Sequence, residues 1–179
     1  MDIQKYYETL FPYRQFFLWL NHAAVPTRDF THREFAFTVL NGQGSDIYVR
    51  YQSFPTIETF KRKVAMLTPK RFEIGAVYTA KPSDHKLVSP EKYVAVNKEL
   101  VFDLDLSDYD SFRTCCQGKQ VCLKCWQFVV VAMDVLGAIF DLDFGYKHIL
   151  WAFSGRRGVH AWVCDTRARS LDDSQRGQL

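Results

Sequence analysis

The sequence predicts an α+β fold, and three observations carry that prediction. Pairs of alternating segments flank short turn signals, as in β-hairpins, and stretches with helical spacing lie between them. Aromatic residues make up 16% of the 179 residues, which favours a strand-rich core. Hydrophobic residues at 47% and charged residues at 24% are typical of a globular protein of one well-packed domain, with or without a small appendage.

The first half of the chain combines helical spacing with one hairpin pattern. Pro12 fits the first turn of a helix, Asn41-Gly42-Gln43-Gly44 is a turn signal, and Pro55 and Pro69 end the segments before them. The predicted elements are helices over residues 3–11 and 13–20, strands over 33–40 and 47–54, a helix over about 56–67 and a strand over 74–79.

The second half contains an acidic strand, a long apolar helix and a second hairpin. Residues 99–106 alternate as a strand, and the almost unbroken apolar stretch 124–140 predicts a buried helix because it is too long for an ordinary strand. Residues 149–153 and 159–164 read as strands joined by a glycine-containing connection.

The acidic strand carries two carboxylates two residues apart. A period of two places Val101, Asp103 and Asp105 on one face, with Phe102 and Leu104 on the other. Carboxylates about 7 Å apart repel one another unless a cation lies between them, and oxygen ligands suit Mg²⁺ or Mn²⁺. The alternative is a half-exposed strand with a solvated acidic face.

Four of the five cysteines are packed between residues 115 and 125. Cys115, Cys116, Cys122 and Cys125 could close a tetrahedral Zn²⁺ shell, which would be structural because no position stays open. The alternative is a set of reduced cysteines on a buried surface, since neighbouring residues point apart. Cys164 is predicted to lie in the core.

The second hairpin has the residues of a phosphate clamp. In Ser154-Gly155-Arg156-Arg157-Gly158-Val159-His160, glycines let the backbone approach an anion, guanidinium groups bind phosphate oxygens, and Ser154 and His160 can add hydrogen bonds. The alternative is a hairpin tip with two solvated arginines. In the first hairpin, Tyr48 and Arg50 share a face across from Glu34, where they either line a site or face water. A metal pair and an arginine clamp together favour an enzyme acting on nucleoside triphosphates.

Charge and hydropathy restrict the setting. The net charge of +3 gives no overall basic field for nucleic acid. No continuous apolar run reaches the roughly 18 residues that span a bilayer, and the first ten residues do not resemble a signal peptide. The expectation is an intracellular protein without a membrane partner.

Several of these motifs together resemble the small catalytic subunit of eukaryotic DNA primase. The resemblance rests on the acidic run 101–105, the cysteine spacing, the clamp 154–160 with the following 162–165, and the segment 46–54. These matches lie in order and cover nearly the whole chain.

The resemblance implies an archaeo-eukaryotic primase fold, with an RRM-like, largely antiparallel sheet and a small zinc-binding insertion at 115–125. It implies synthesis of RNA primers on a single-stranded DNA template from ribonucleoside triphosphates, by two-metal nucleotidyl transfer. The implied residues are Asp103 and Asp105 for Mg²⁺ or Mn²⁺, Glu34 as a further catalytic residue, Tyr48, Arg50, Ser154, Gly155, Arg156, Arg157, Gly158 and His160 for the nucleotide, and Cys115, Cys116, Cys122 and Cys125 for Zn²⁺.

The resemblance also implies a nuclear enzyme that pairs with a large primase subunit and with the catalytic and accessory subunits of DNA polymerase alpha. Two departures stand out. Family members are about twice this length and take a third metal-binding aspartate from a segment beyond Leu179. The chain is therefore expected to be an N-terminal portion or truncated product that holds much but not all of the active site. Glu73 stands where an aspartate is expected.

Two other functions fit parts of the sequence. A zinc-stabilised module that binds single-stranded nucleic acid would need no catalytic metal, because exposed aromatic side chains on an RRM-like sheet bind bases by stacking. A sugar-nucleotide glycosyltransferase would use Asp103 and Asp105 but gives no role to the clamp or to the cysteines.

Overall fold

The computed structural model describes residues 2–179, in two compact units that divide between Lys98 and Glu99. Each unit has its own antiparallel sheet. The first unit has one buried cluster of apolar side chains and the second has two. The mixture of helices and antiparallel strands in both units confirms the α+β class.

The first unit surrounds a four-stranded sheet with helices. The strand order is β2-β1-β3-β4, so β1 is paired on both sides. Its elements are α1 (Ile3–Thr9), α2 (Tyr13–Asn21), α3 (Arg28–Thr31), β1 (Arg33–Leu40), β2 (Asp46–Gln52), α4 (Ile57–Leu67), β3 (Arg71–Tyr78) and β4 (Ala95–Asn97), with 3₁₀ turns at Pro82–Leu87 and Pro90–Lys92.

Phenylalanine rings build the core of this unit around Phe60 of α4. Phe16 stacks on Phe60 with ring centroids 5.3 Å apart, and Phe35 of β1 lies 5.1 Å from it. Thr56 caps α4, because its hydroxyl accepts a hydrogen bond from the Thr59 backbone N–H at 3.3 Å. The predicted helices and hairpin are confirmed, and β3 begins three residues earlier than predicted, at Arg71.

The second unit holds a three-stranded sheet in the order β5-β7-β6. In the pairing of β5 with β7, Phe102 lies opposite Ala161 and Asp103 opposite His160. Its elements are β5 (Leu100–Asp105), a 3₁₀ turn (Leu106–Tyr109), α5 (Leu123–Leu142), β6 (Ile149–Phe153), β7 (Gly158–Val163), α6 (Thr166–Arg169) and α7 (Asp173–Arg176).

Helix α5 forms as predicted, but the prediction that it is buried is wrong. Only Cys125, Val129 and Phe140 of its residues are buried, while Val131 and Val135 are more than half exposed. One stripe of the helix packs on the sheet, and a groove of about 670 Å³ runs beside it, with Val131 and Val135 in its lining. By length and composition α5 could cross a membrane, although one such helix is weak evidence of a membrane span. This finding corrects the expectation that no segment is long and apolar enough.

Candidate functional site

Strand β5 separates a polar face from an apolar face. Phe102 packs on Phe140 of α5 with ring centroids 5.0 Å apart, and Leu104 joins a neighbouring apolar cluster. The other face carries the side chains of Asp103, which is 71% exposed, and Asp105, which is 35% exposed. The alternation of the sequence therefore predicts correctly which side chains are available to a ligand.

One oxygen of Asp105 accepts three hydrogen bonds. Arg157 Nε donates to Oδ1 at 2.5 Å, and the backbone N–H and hydroxyl of Ser107 donate to the same atom at 2.8 Å each. The bond from Arg157 is the main cause that lowers the pKa of Asp105 to about 2, and Ser107 adds to it. Asp105 is therefore ionised at neutral pH, as a metal-binding carboxylate has to be.

Strand β7 brings a histidine beside the other carboxylate. His160 lies opposite Asp103 in the strand pairing, and its Nε2 is 3.4 Å from Asp103 Oδ1. The structure thus collects two carboxylates, one guanidinium and one imidazole on a single face of the second sheet. Of the predicted nucleotide contacts, Arg157 and His160 are those that touch the carboxylates.

The β6–β7 connection is a tight turn that depends on two glycines. Gly155 has a φ of +85°, a left-handed conformation that favours glycine. A Cβ on Gly158 would lie 2.3 Å from the carbonyl oxygen of Leu104, so only glycine lets β7 approach β5 this closely. Ser154 closes the turn, because its hydroxyl accepts a hydrogen bond from the Gly158 N–H at 3.1 Å.

The two arginines of the connection have different surroundings. Arg157 bonds to Asp105, whereas Arg156 is exposed and lines a cavity of about 460 Å³ together with Trp126 and Phe153. In this structure, therefore, the two guanidinium groups have different neighbours, and their joint binding of phosphate stays a prediction.

In the first unit, Glu34 is a buried carboxylate that holds Arg50. Its side chain is only 5% exposed, and it accepts hydrogen bonds from Arg50 Nε at 3.1 Å and Nη2 at 3.3 Å. The backbone N–H of Tyr51, which has a φ of 58°, donates to the same carboxylate at 3.2 Å. A Cβ on Gly75 would lie 2.9 Å from the Cβ of Glu34, so this glycine makes room for the carboxylate.

Tyr48 and Tyr51 point to different partners. The hydroxyl of Tyr48 donates to Glu73 at 2.5 Å, which raises the pKa of Tyr48. The ring of Tyr51 stacks on His85, with centroids 3.7 Å apart. Glu73, which replaces the expected aspartate, is thus engaged with Tyr48 and also forms an ion pair with Arg71 at 3.0 Å.

We expect Glu34→Gln to lower the free energy of unfolding of this unit by about 1–3 kcal/mol, because the two charge-assisted hydrogen bonds from Arg50 to the buried carboxylate are lost. Thermal or urea denaturation monitored by circular dichroism measures this change. The control is Glu73→Gln, in which the carboxylate is 45% exposed and should change stability by less than about 0.5 kcal/mol. Equal effects of the two substitutions would contradict a stabilising contact between Glu34 and Arg50.

The four clustered cysteines meet at the start of α5. Their sulfur atoms all lie within 4.8 Å of one another, and the sulfur atoms of Cys122 and Cys125 are 3.9 Å apart. A tetrahedral metal with bonds of about 2.3 Å to sulfur needs ligands about 3.8 Å apart, so this spacing fits such a site. The irregular loop before α5 brings even the adjacent Cys115 and Cys116 into the cluster. The prediction that Cys164 lies in the core is wrong, because Cys164 is only half-buried, and it donates to the carbonyl of Trp162.

Comparisons with known proteins decide the family. Residues 102–179 match the family model of the DNA primase small subunit. The DNA primase small subunit of Schizosaccharomyces pombe is 52% identical over 98% of this chain, and that of Saccharomyces cerevisiae is 47% identical over 98%. The chain belongs to the DNA primase small subunit family. The family member from Drosophila melanogaster is 45% identical over 93% of the chain.

The chain spans less than half the length of these primase small subunits. It covers 38% of the S. pombe protein, 42% of the S. cerevisiae protein and 37% of the D. melanogaster protein.

The residues implied by the primase resemblance lie in both units. Glu34, Tyr48 and Arg50 belong to the first unit, and the aspartates, the clamp and the cysteines belong to the second. The sequence interpretation did not identify Gly75, although a glycine inside a strand pattern is a known signal of close backbone approach. It also missed Arg113, for which no sequence signal exists.

Proposed function

We propose that this chain acts in DNA replication as a DNA primase, a nucleotidyltransferase that makes short RNA primers on single-stranded DNA from ribonucleoside triphosphates. One observation supports this most directly. Asp103 and Asp105 share an accessible face of β5 with Arg157 and His160 of the paired strand, in a member of the primase small subunit family.

Asp103 and Asp105 are the proposed ligands of Mg²⁺ or Mn²⁺. Their oxygen donors suit these hard cations, and the depressed pKa of Asp105 keeps it ionised. When bound, the metal would align the attacking 3′-hydroxyl with the α-phosphate and stabilise the leaving pyrophosphate. Arg157 neutralises Asp105 in the present structure, which lowers the repulsion between the two carboxylates.

The triphosphate is proposed to bind at the β6–β7 turn. Guanidinium groups bind phosphate oxygens in bidentate fashion, and glycines let the backbone approach them. In the first unit Tyr48 and Arg50 are the proposed nucleotide contacts, and Glu34 acts through Arg50, which it holds with two hydrogen bonds. The proposed residues at the turn are Ser154, Gly155, Arg156, Arg157, Gly158 and His160.

The cysteine cluster is proposed to hold a structural Zn²⁺. Four thiols at this spacing leave no open coordination position, so the metal would stabilise the loop and not take part in the reaction. The loop would be the zinc-binding insertion of an archaeo-eukaryotic primase fold, and the sheet its RRM-like element.

The proposed setting follows from the same family. A primase small subunit would work in the nucleus with a large primase subunit and with the catalytic and accessory subunits of DNA polymerase alpha. Its template would be single-stranded DNA.

A second candidate is a zinc-stabilised module that binds single-stranded nucleic acid without catalysis. The exposed ring of Phe153, next to Trp126 and Arg156, favours it, because bases stack on aromatic side chains and phosphates pair with arginine. Such a module would bind its ligand without Mg²⁺ or Mn²⁺.

A chimera tests the proposed activity. In the chimera, this chain replaces the matching segment of the S. pombe protein. Primer synthesis on a single-stranded DNA template is then measured with labelled ribonucleotides. We expect primers of the same kind as those made by the parental S. pombe protein. A folded chimera that makes no primers would contradict the proposal.

A further inference from the structure

We propose that Arg113 and Asp110 are positioning residues of the cysteine site, which close its loop and hold a guanidinium group beside its thiols. The inference rests on the proposed Zn²⁺ site and adds to it the groups that surround the four thiols. Neither residue is a metal ligand.

Through its side chain, Arg113 bonds to several groups of this loop. Its side chain is fully buried, and its guanidinium donates to Asp110, to the carbonyl of Gln120 at 3.1 Å and to the carbonyl of Gly118 at 3.2 Å. The other oxygen of Asp110 accepts a hydrogen bond from the Gly118 N–H at 3.1 Å. The pair thus fixes the segment between the two halves of the cysteine motif.

The same guanidinium reaches the thiols themselves. Arg113 Nη1 lies 3.8 Å from the sulfur of Cys125, which is buried at the start of α5. Zn²⁺ with four thiolates carries a net charge of −2. The guanidinium is paired with Asp110, which holds it in place, and it directs an N–H donor at one of the sulfur atoms.

The loop is also continuous with the carboxylate strand. The turn Leu106–Tyr109 begins at Asp105, whose side chain caps it, and Asp110 follows directly. The N–H of Asp110 donates to the carbonyl of Ser107 at 3.1 Å. The ion pair of Asp110 and Arg113 therefore joins the cysteine site to the end of β5, where Asp105 lies.

The test measures release of zinc from the loaded chain to an excess of a chromogenic chelator. The variants are R113Q, which removes the charge, and R113K, which keeps the charge but cannot reach all the acceptors. The matched control is K119Q, which removes the same charge from an exposed position in the same loop. We expect release to be at least tenfold faster in R113Q and several-fold faster in R113K, and K119Q to stay within twofold of the parent.

Circular dichroism of the loaded variants shows whether each is folded, and R113K decides the matter if R113Q does not fold. Release rates of R113Q and R113K within twofold of that of K119Q would overturn the role of Arg113. A parent chain that takes up no zinc would instead overturn the zinc site itself and this inference with it. The two failures are therefore distinguishable.

Discussion

The double substitution Asp103→Asn/Asp105→Asn is expected to abolish nucleotide incorporation in the chimera, by a factor of about 10³ or more. Two-metal catalysis contributes several kcal/mol of transition-state stabilisation, and a loss on the order of 4 kcal/mol corresponds to that factor. Both side chains point away from the apolar clusters of β5, so their replacement should leave the fold intact.

The control for this prediction is Asp108→Asn. Asp108 is an exposed carboxylate only three residues beyond Asp105, in the turn that follows β5. Its replacement makes a similar change of charge nearby and should leave the rate within twofold of the parent. Incorporation that survives in the double variant would show that these carboxylates do not bind the catalytic metal.

The second large effect is expected from Cys122→Ser. Loss of one of four ligands should lower the zinc content and the thermal stability of the second unit, because structural zinc contributes about 10–16 kcal/mol to the folding of small zinc domains. Even a few kcal/mol shifts the melting temperature of a unit this small by about 10 °C or more. Zinc content by atomic absorption and melting by circular dichroism measure the two effects.

Cys164→Ser is the matched control, since Cys164 lies outside the cluster and donates to the carbonyl of Trp162. It should keep the zinc content of the parent. If both serine variants retained the zinc content of the parent and had the same melting temperature, the cluster would not be a structural metal site.

Local patterns predicted most of the fold because the structure uses them directly. Because side chains in β5 alternate between its two faces, Phe102 and Leu104 lie on the apolar face, and Asp103 and Asp105 lie on the accessible face. The turn signals of both hairpins give antiparallel pairs, and Thr56 caps the helix that follows it.

Long-range contacts account for what could not be predicted. Glu34 is in strand β1, but its partner Arg50 is 16 residues away. The contact also depends on the left-handed backbone of Tyr51 and on the space that Gly75 leaves for the carboxylate. Arg157 bonds to a carboxylate 52 residues before it, a contact that the sequence around the two adjacent arginines does not indicate. An apolar composition indicates a helix over residues 123–142 but cannot tell which of its faces is covered.

The most direct test of the account is a calorimetric titration of ATP into the chain, with and without Mg²⁺ or Mn²⁺, beside the Asp103→Asn/Asp105→Asn variant. We predict binding that needs the metal and is lost in the double variant but kept in Asp108→Asn. Binding that is equal without metal, or unchanged in the double variant, would contradict a metal-dependent nucleotide site on β5.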